Sequence, residues 1–302
     1  MDIPQIKREI LMQLPVCFRT VLSDVDFNGL QEVRFRCAKP LMIHTDSGDM
    51  MIAENGKPTA SRESAYMVSA EEMAMLLAAF CENSVYAYQR EICDGFLTIK
   101  GGHRVGISGR CVLSEGKIIN VTDISGLNLR IAKEFKGCAE SILARLASDN
   151  EPANIIIISP PQCGKTTILR DMARLISQNK KVTIIDERSE LAAVKGGTAQ
   201  FDVGIRTEVL DRFPKSMGML LAIRSLSPDV IITDEIGGKE DYFAVKSVLN
   251  AGCRIITSMH GYDTKNLSEE RREMLKMFDC AVVLTKKNGI PEVKEIVKLR
   301  GE

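Results

Sequence analysis

The stretch Ile155-Ile156-Ile157-Ile158-Ser159-Pro160-Pro161-Gln162-Cys163-Gly164-Lys165-Thr166-Thr167 constrains this chain more than any other. A short β-branched run reads as a strand and ends in a turn with two prolines. Gly-Lys-Thr-Thr then opens a helical run from Ile168 to Ser177. That is the strand–loop–helix setting a phosphate-binding P-loop requires. Loop N–H groups and a helix N-terminus would face anionic oxygens, and the helix dipole favours negative charge there. Residues 159–167 are therefore the expected nucleotide cradle. Lys165 is placed to reach the β- and γ-phosphates, and the Thr166 hydroxyl to sit on Mg²⁺. Ser159 stands where the motif carries its first glycine. The bland alternative is a Gly-Lys-Thr met by chance at a helix start.

A second signal decides between these readings. Ser227-Pro228-Asp229-Val230-Ile231-Ile232-Thr233-Asp234-Glu235-Ile236-Gly237 is an apolar strand that ends in adjacent carboxylates. Asp234 is expected to hold Mg²⁺, directly or through water, and Glu235 to polarise an attacking water as general base. Two neighbouring acids are common by themselves. Seventy residues beyond Lys165, at the end of a buried strand, they complete a Walker A and Walker B pair and point to nucleotide hydrolysis. Two further strand ends carry polar residues. Lys181 to Ile185 runs into Asp186-Glu187, either ligand-facing acids at a strand's carboxyl end or mere caps of the following turn. Arg254 to Ser258 runs into Met259-His260-Gly261, where His260 is either a γ-phosphate sensor or a structural histidine.

Strands at 155–158, 182–185, 230–233, 255–258 and 280–285 alternate with helices, which predicts a largely parallel, doubly wound α/β sheet. The glutamate after the Walker B aspartate and the extra strand before it favour a RecA-like P-loop NTPase domain. Gly196 to Pro214 reads as a long loop, and a helix follows from about Lys215. The first half reads as a smaller α+β domain. It has a helix from residue 1 to about 24 broken by Pro15, strands at 32–37 and 41–43, and a helix opened by the capping box Ser69/Glu72. Further strands are expected at 96–99, 101–110, 117–121 and 127–131. The division is expected at 137/138, giving 1–137 and 138–302. Arg104, Arg110 and Arg130 lie on or beside those strands, and spacing alone makes them solvated surface residues.

Composition excludes several classes. Forty basic and forty acidic residues cancel, so no field advertises nucleic acid or an anionic membrane. Apolar runs fall short of the roughly 20 residues of a membrane span, and the N-terminus shows no secretory pattern. Nine cysteines without a C-x-x-C pair suit reduced thiols in a cytosol better than a disulfide framework or a zinc site.

The succession SPPQCGKTTILRDMARLIS (159–177), IIDERSELAAV (184–194), DVGIRTEVLD (202–211), PKSMGMLLAIRSLSPDVIITDEIG (214–237) and TSMHG (257–261) resembles the stage III sporulation protein AA family of endospore-forming bacteria. LTIKGGHRVGISGR (97–110) and SGLNLRIAKE (125–134) look like the same family, which is related to the type II/type IV secretion ATPases. Ser159 fits that family's pattern. The resemblance implies a Mg²⁺-dependent ATPase in a homo-oligomer, a hexamer in such motors, working with integral membrane components of the channel between mother cell and forespore. The location it implies is the mother-cell cytoplasm, peripheral to the membrane through partners. It matches Asp186-Glu187 to a catalytic acidic box without saying which acid acts, and His260 to a reduced histidine box. It also makes Arg104, Arg110 and Arg130 candidates for arginines that act on a neighbour's nucleotide. Two other readings compete: a nucleic-acid motor, which the near-zero net charge disfavours, and a scaffold that binds ATP mainly to assemble.

Overall fold

The computed structural model describes residues 3–146, 152–287 and 290–299. The chain forms two compact units, Met1–Lys133 and Glu134–Glu302. The division falls a few residues before the expected 137/138 because Glu134 is tied into the second unit. Its carboxylate accepts the Asp202 N–H at 2.8 Å, and Lys136 pairs with Asp202 at 2.6 Å.

Unit 1 opens with α1 (Ile3–Gln13) and α2 (Val16–Leu22), separated where Pro15 fixes an extended backbone that no helix continues. The first two residues of the helix expected there lie outside the described range. Strands β1 (Leu30–Arg36), β2 (Met42–Thr45), β3 (Gly48–Ile52) and β4 (Pro58–Thr59) follow. The Ser69 hydroxyl accepts the Glu72 N–H and the Glu72 carboxylate accepts the Ser69 N–H, so α3 (Ala70–Phe80) starts at the expected capping box. After α4 (Gln89–Cys93) come β5 (Phe96–Thr98), β6 (Arg104–Ser114) and β7 (Lys117–Arg130). The antiparallel sheet runs β4-β3-β2-β1-β7-β6-β5. The two strands expected at 117–121 and 127–131 are one strand, β7, whose interruption is a bulge opposite Gly109. There a Cβ on Gly109 would stand 2.6 Å from the Thr122 carbonyl oxygen, so only glycine permits the approach. Val33 and Phe35 of β1 pack with α1–α3 residues such as Ile10, Phe18 and Leu76. The alternate positions Glu32, Arg34 and Arg36 face away from that core.

Unit 2 contains α5 (Glu140–Leu146), β8 (Ile155–Ser159), α6 (Lys165–Ile176), β9 (Val182–Asp186), β10 (Thr207–Asp211) and α7 (Lys215–Ser225). It continues with β11 (Val230–Thr233), α8 (Lys239–Asn250), β12 (Arg254–His260), α9 (Glu269–Leu275), β13 (Cys280–Lys287) and β14 (Ile290–Lys298). The sheet order is β10-β9-β11-β12-β8-β13-β14, parallel except for β14. The isoleucine run explains why β8 sits inside. Ile155 and Ile157 enter the core under α5 and α6, while Ile156 and Ile158 enter the core under α7, α8 and α9. All four are buried, each contributing about 1.5–3 kcal/mol. Strand β12 separates the P-loop strand β8 from β11, the sheet order of a RecA-like P-loop NTPase.

Two strands differ from expectation. β10 lies inside the stretch expected as loop, where Thr207–Asp211, half-buried except for exposed Glu208, pairs with β9 at the sheet edge. β14 closes the other edge as an antiparallel hairpin with β13. Among the described residues no helix is long and apolar enough to cross a membrane.

Candidate nucleotide site

The carboxyl ends of β8, β9, β11 and β12 bring the expected residues of unit 2 together. β8 ends at Ser159, whose backbone conformation is ordinary, so this position of the motif demands no glycine here. Its hydroxyl donates to the Pro160 carbonyl at 2.8 Å, and its own carbonyl accepts the Gly261 N–H at 3.2 Å. Pro161 and Gln162 are exposed, and Cys163 is buried in the core under α6. Gln162 (φ +59°) and Gly164 (φ +77°) take the left-handed conformation that turns the loop into α6. Gly164 caps α6 without a side chain, and the first amides of a helix have no partner inside it, which suits an anion. Thr166 and Thr167 are half-buried in the first turn.

Lys165 Nζ reaches back to the Ser159 and Pro160 carbonyls, both at 3.3 Å, and lies 3.1 Å from His260 Nδ1. Burial pushes its ammonium down from the usual lysine range, against the pull of Glu235. An ammonium only donates, so His260 Nδ1 accepts and the ring carries its proton on Nε2. That nitrogen stands 2.9 Å from Glu235 Oε2. Lys165, His260 and Glu235 thus form one continuous chain, with the His260 carbonyl held by Arg271 at 3.1 Å.

Asp234 is buried beside it. The Thr257 hydroxyl donates to its carbonyl at 2.9 Å and the Thr233 hydroxyl donates to Ile185 O at 3.0 Å, which fixes the backbone. Its Oδ1 lies 3.3 Å from Lys215 Nζ, an ion pair. Burial pushes the Asp234 carboxyl up to about 6, opposed by Lys215. A buried carboxylate oxygen that already faces a cation is a hard donor of the kind Mg²⁺ takes. Thr166 and Asp234 are the residues that would hold it.

The acids after β9 part ways. Asp186 is buried, and its two oxygens accept the N–H groups of Glu190 (2.8 Å), Leu191 (3.0 Å) and Ala192 (2.8 Å). Arg170 of α6 binds the carbonyls of Leu191 (2.6 Å) and Glu190 (2.8 Å) and covers the Phe201 ring at 3.8 Å. Asp186 is therefore placed as a cap of this turn, one of the two roles that the sequence left open for it. Glu187 points elsewhere and binds Lys215 at 2.6 Å. Lys215 was expected only as a helix start. The available signal was a cation at the first position of α7, where the dipole disfavours it and no acidic residue offsets it.

Arg104, Arg110 and Arg130 belong to unit 1. Arg104 and Arg130 face each other across β6 and β7. Arg104 covers the Phe96 ring at 3.8 Å, and Arg130 stands 3.5 Å from Glu32. Arg110 pairs with Asp123 at 3.1 Å, with both side chains exposed.

The family model for sporulation stage III, protein AA matches residues 5–302. The stage III sporulation protein AA of Bacillus subtilis (strain 168) is 36% identical over 301 residues, covering 95% of this chain and 94% of that one. This chain belongs to the stage III sporulation protein AA family. A second relative of this family member, the uncharacterized protein ycf45 of Cyanidium caldarium, is 32% identical over 151 residues, 49% of this chain and 44% of its own. Among solved structures, the ATPase DotB of Legionella pneumophila superposes with a TM-score of 0.58 at 16% identity, covering 95% of this chain and 82% of that one. The pilus retraction motor PilT, solved with ADP, gives 0.55 at 14% identity, covering 91% and 80%. The sporulation family member thus shares its RecA-like fold with these two proteins.

Proposed function

We propose that this chain is a Mg²⁺-dependent ATPase of the secretion type that powers or assembles the sporulation channel between mother cell and forespore. In this reading it works in the mother-cell cytoplasm as a hexamer, docked on integral membrane components of the channel. The observation that carries it is the chain Lys165–His260–Glu235, with the buried Asp234 carboxylate next to Glu235 in sequence and 3.3 Å from Lys215. The same loop amides and Lys165 cradle phosphate charge. Thr166 and Asp234 would hold Mg²⁺, which would supply further neutralisation of the phosphates. Glu235 takes a proton from the attacking water. His260, whose Nε2–H donates to Glu235, keeps that carboxylate aimed and answers to Lys165. Arg104, Arg110 or Arg130 from a neighbouring subunit completes the site, a contribution worth roughly 10³–10⁵ in rate where such arginines act.

The test is Glu235→Gln. It keeps the shape and removes the base, so nucleotide should still bind while turnover falls by about 10²–10⁴-fold, measured as phosphate release beside fluorescent-ATP binding. Turnover within a few-fold of wild type would end this assignment. A series of single Arg→Ala changes at 104, 110 and 130 in the assembled protein asks the same of the trans arginines, and at least one should lower hydrolysis.

A further inference from the structure

Lys215 is the residue of unit 2 whose position nothing above accounts for. Its ammonium stands 2.6 Å from Glu187 Oε2 and 3.3 Å from Asp234 Oδ1, with the side chain 10% exposed. Ordering a long lysine in that way costs rotamer entropy, and placing it first in α7 runs against the helix dipole. Both costs are repaid only by the acids it meets. The two contacts differ in length: Glu187 receives a hydrogen bond at 2.6 Å, whereas Asp234 Oδ1 is held more loosely at 3.3 Å. Lys165 does not compete for this place, since its ammonium is committed to the loop carbonyls and His260.

Resting on the ATPase reading of this site, we propose that Lys215 is a tethered cation that stands in the charge position of the divalent ion at Asp234, so that metal binds only together with nucleotide phosphates. A divalent ion arriving alone meets a fixed positive charge within ion-pair distance of its ligand oxygen. Mg²⁺ sites of this type draw on one or two carboxylates and on substrate phosphates, and the phosphates supply the negative charge that offsets Lys215. Glu187 is the anchor: it holds the ammonium when Asp234 turns to the metal.

The probe is Mn²⁺ alone, titrated into the nucleotide-free full-length protein and followed by electron paramagnetic resonance. Lys215→Met should bind Mn²⁺ at least tenfold tighter than wild type, Lys215→Arg should match wild type, and the Lys215→Met/Asp234→Asn double variant should lose the gain. Lys215→Gln, which removes the charge and keeps a donor for Glu187, reads the same effect should the methionine variant fail to fold. Equal Mn²⁺ affinity in wild type and both charge-removing variants overturns the proposal, as does a gain that survives loss of Asp234. Phosphate release by the wild type is read separately. A tenfold Mn²⁺ gain without any turnover supports the tethered cation and retires the ATPase reading, whereas turnover without a gain does the reverse.

Discussion

Asp186-Glu187 and Asp234-Glu235 are the same dipeptide at the ends of neighbouring parallel strands, with Ile185 paired to Thr233 in register. In both, the aspartate turns inward and is buried, and the glutamate turns toward the surface. What separates them is the backbone that follows. After β9 the chain curls so that three amides, at 190–192, converge on Asp186. After β11 the chain passes to α8 through Ile236-Gly237-Gly238. The amides of Gly237 and Gly238 go to Asp241 Oδ2, at 3.0 and 3.2 Å, not to Asp234. One aspartate is thereby held by backbone amides and the other by the Lys215 ammonium. The lesson is that a carboxylate's role at a strand end is set by which amides the next turn delivers.

The largest expected effect breaks the first of the pair. Asp186→Ala strands three amides, those of Leu191 and Ala192 buried and that of Glu190 partly so, and should destabilise the protein by about 3–5 kcal/mol in chemical denaturation. Asp234→Asn at the same strand level leaves no such orphans. A loss under about 1 kcal/mol for Asp186→Ala would mean that the turn finds other partners and the contrast is false.

A smaller effect concerns the pH at which Asp234 weakens the fold. Its carboxyl is raised from 3.8 to about 6, mainly by burial. The folded state therefore holds the proton more tightly than the unfolded state. The associated stability is whole below pH 3.8 and is lost as pH rises through about 6. In metal-free buffer, Asp234→Asn should gain on wild type across that window by roughly 2–3 kcal/mol. His103 of unit 1 runs the other way. Burial lowers it to about 4, and its Nδ1 accepts the Ala132 N–H at 3.1 Å, a bond that protonation would end. Its stability is present above 6.5 and is lost as pH falls through about 4. His103→Gln should flatten that acid limb. Parallel slopes for the two variants would contradict the burial account of both.

Much of unit 2 was legible because local pattern and tertiary role agree there. Four β-branched residues can fill both faces of a sheet only from its interior, and Gly164-Lys165 can follow such a strand only as a loop into a helix. The acids and His260 followed from strand ends. What escaped depends on partners distant in sequence. Asp186 needs the turn at 190–192 to declare itself, and Lys215 needs Glu187 and Asp234. β10 borrows its order from β9, since Thr207–Asp211 alternates too weakly to announce a strand. In unit 1, the bulge that keeps β7 whole depends on the contact of Gly109 with Thr122, which no spacing within either strand reveals.

The smallest effect sharpens the comparison from its second members. Glu235 takes the His260 Nε2–H and belongs to the Lys165 chain, whereas Glu187 touches Lys215 and reaches the site only through it. Glu187→Gln keeps a hydrogen-bond acceptor for Lys215 and removes one charge from a pair that is over a third exposed on the glutamate side. Stability should change by under about 1 kcal/mol, as for other partly solvated ion pairs. Turnover should fall by less than about tenfold, against about 10²–10⁴ for Glu235→Gln. Steady-state phosphate release on both variants at saturating ATP and Mg²⁺ separates them. Equal losses would make the two glutamates equivalent and assign Glu187 to the reacting water, because an acid acting only through Lys215 has no route to a full loss of the base.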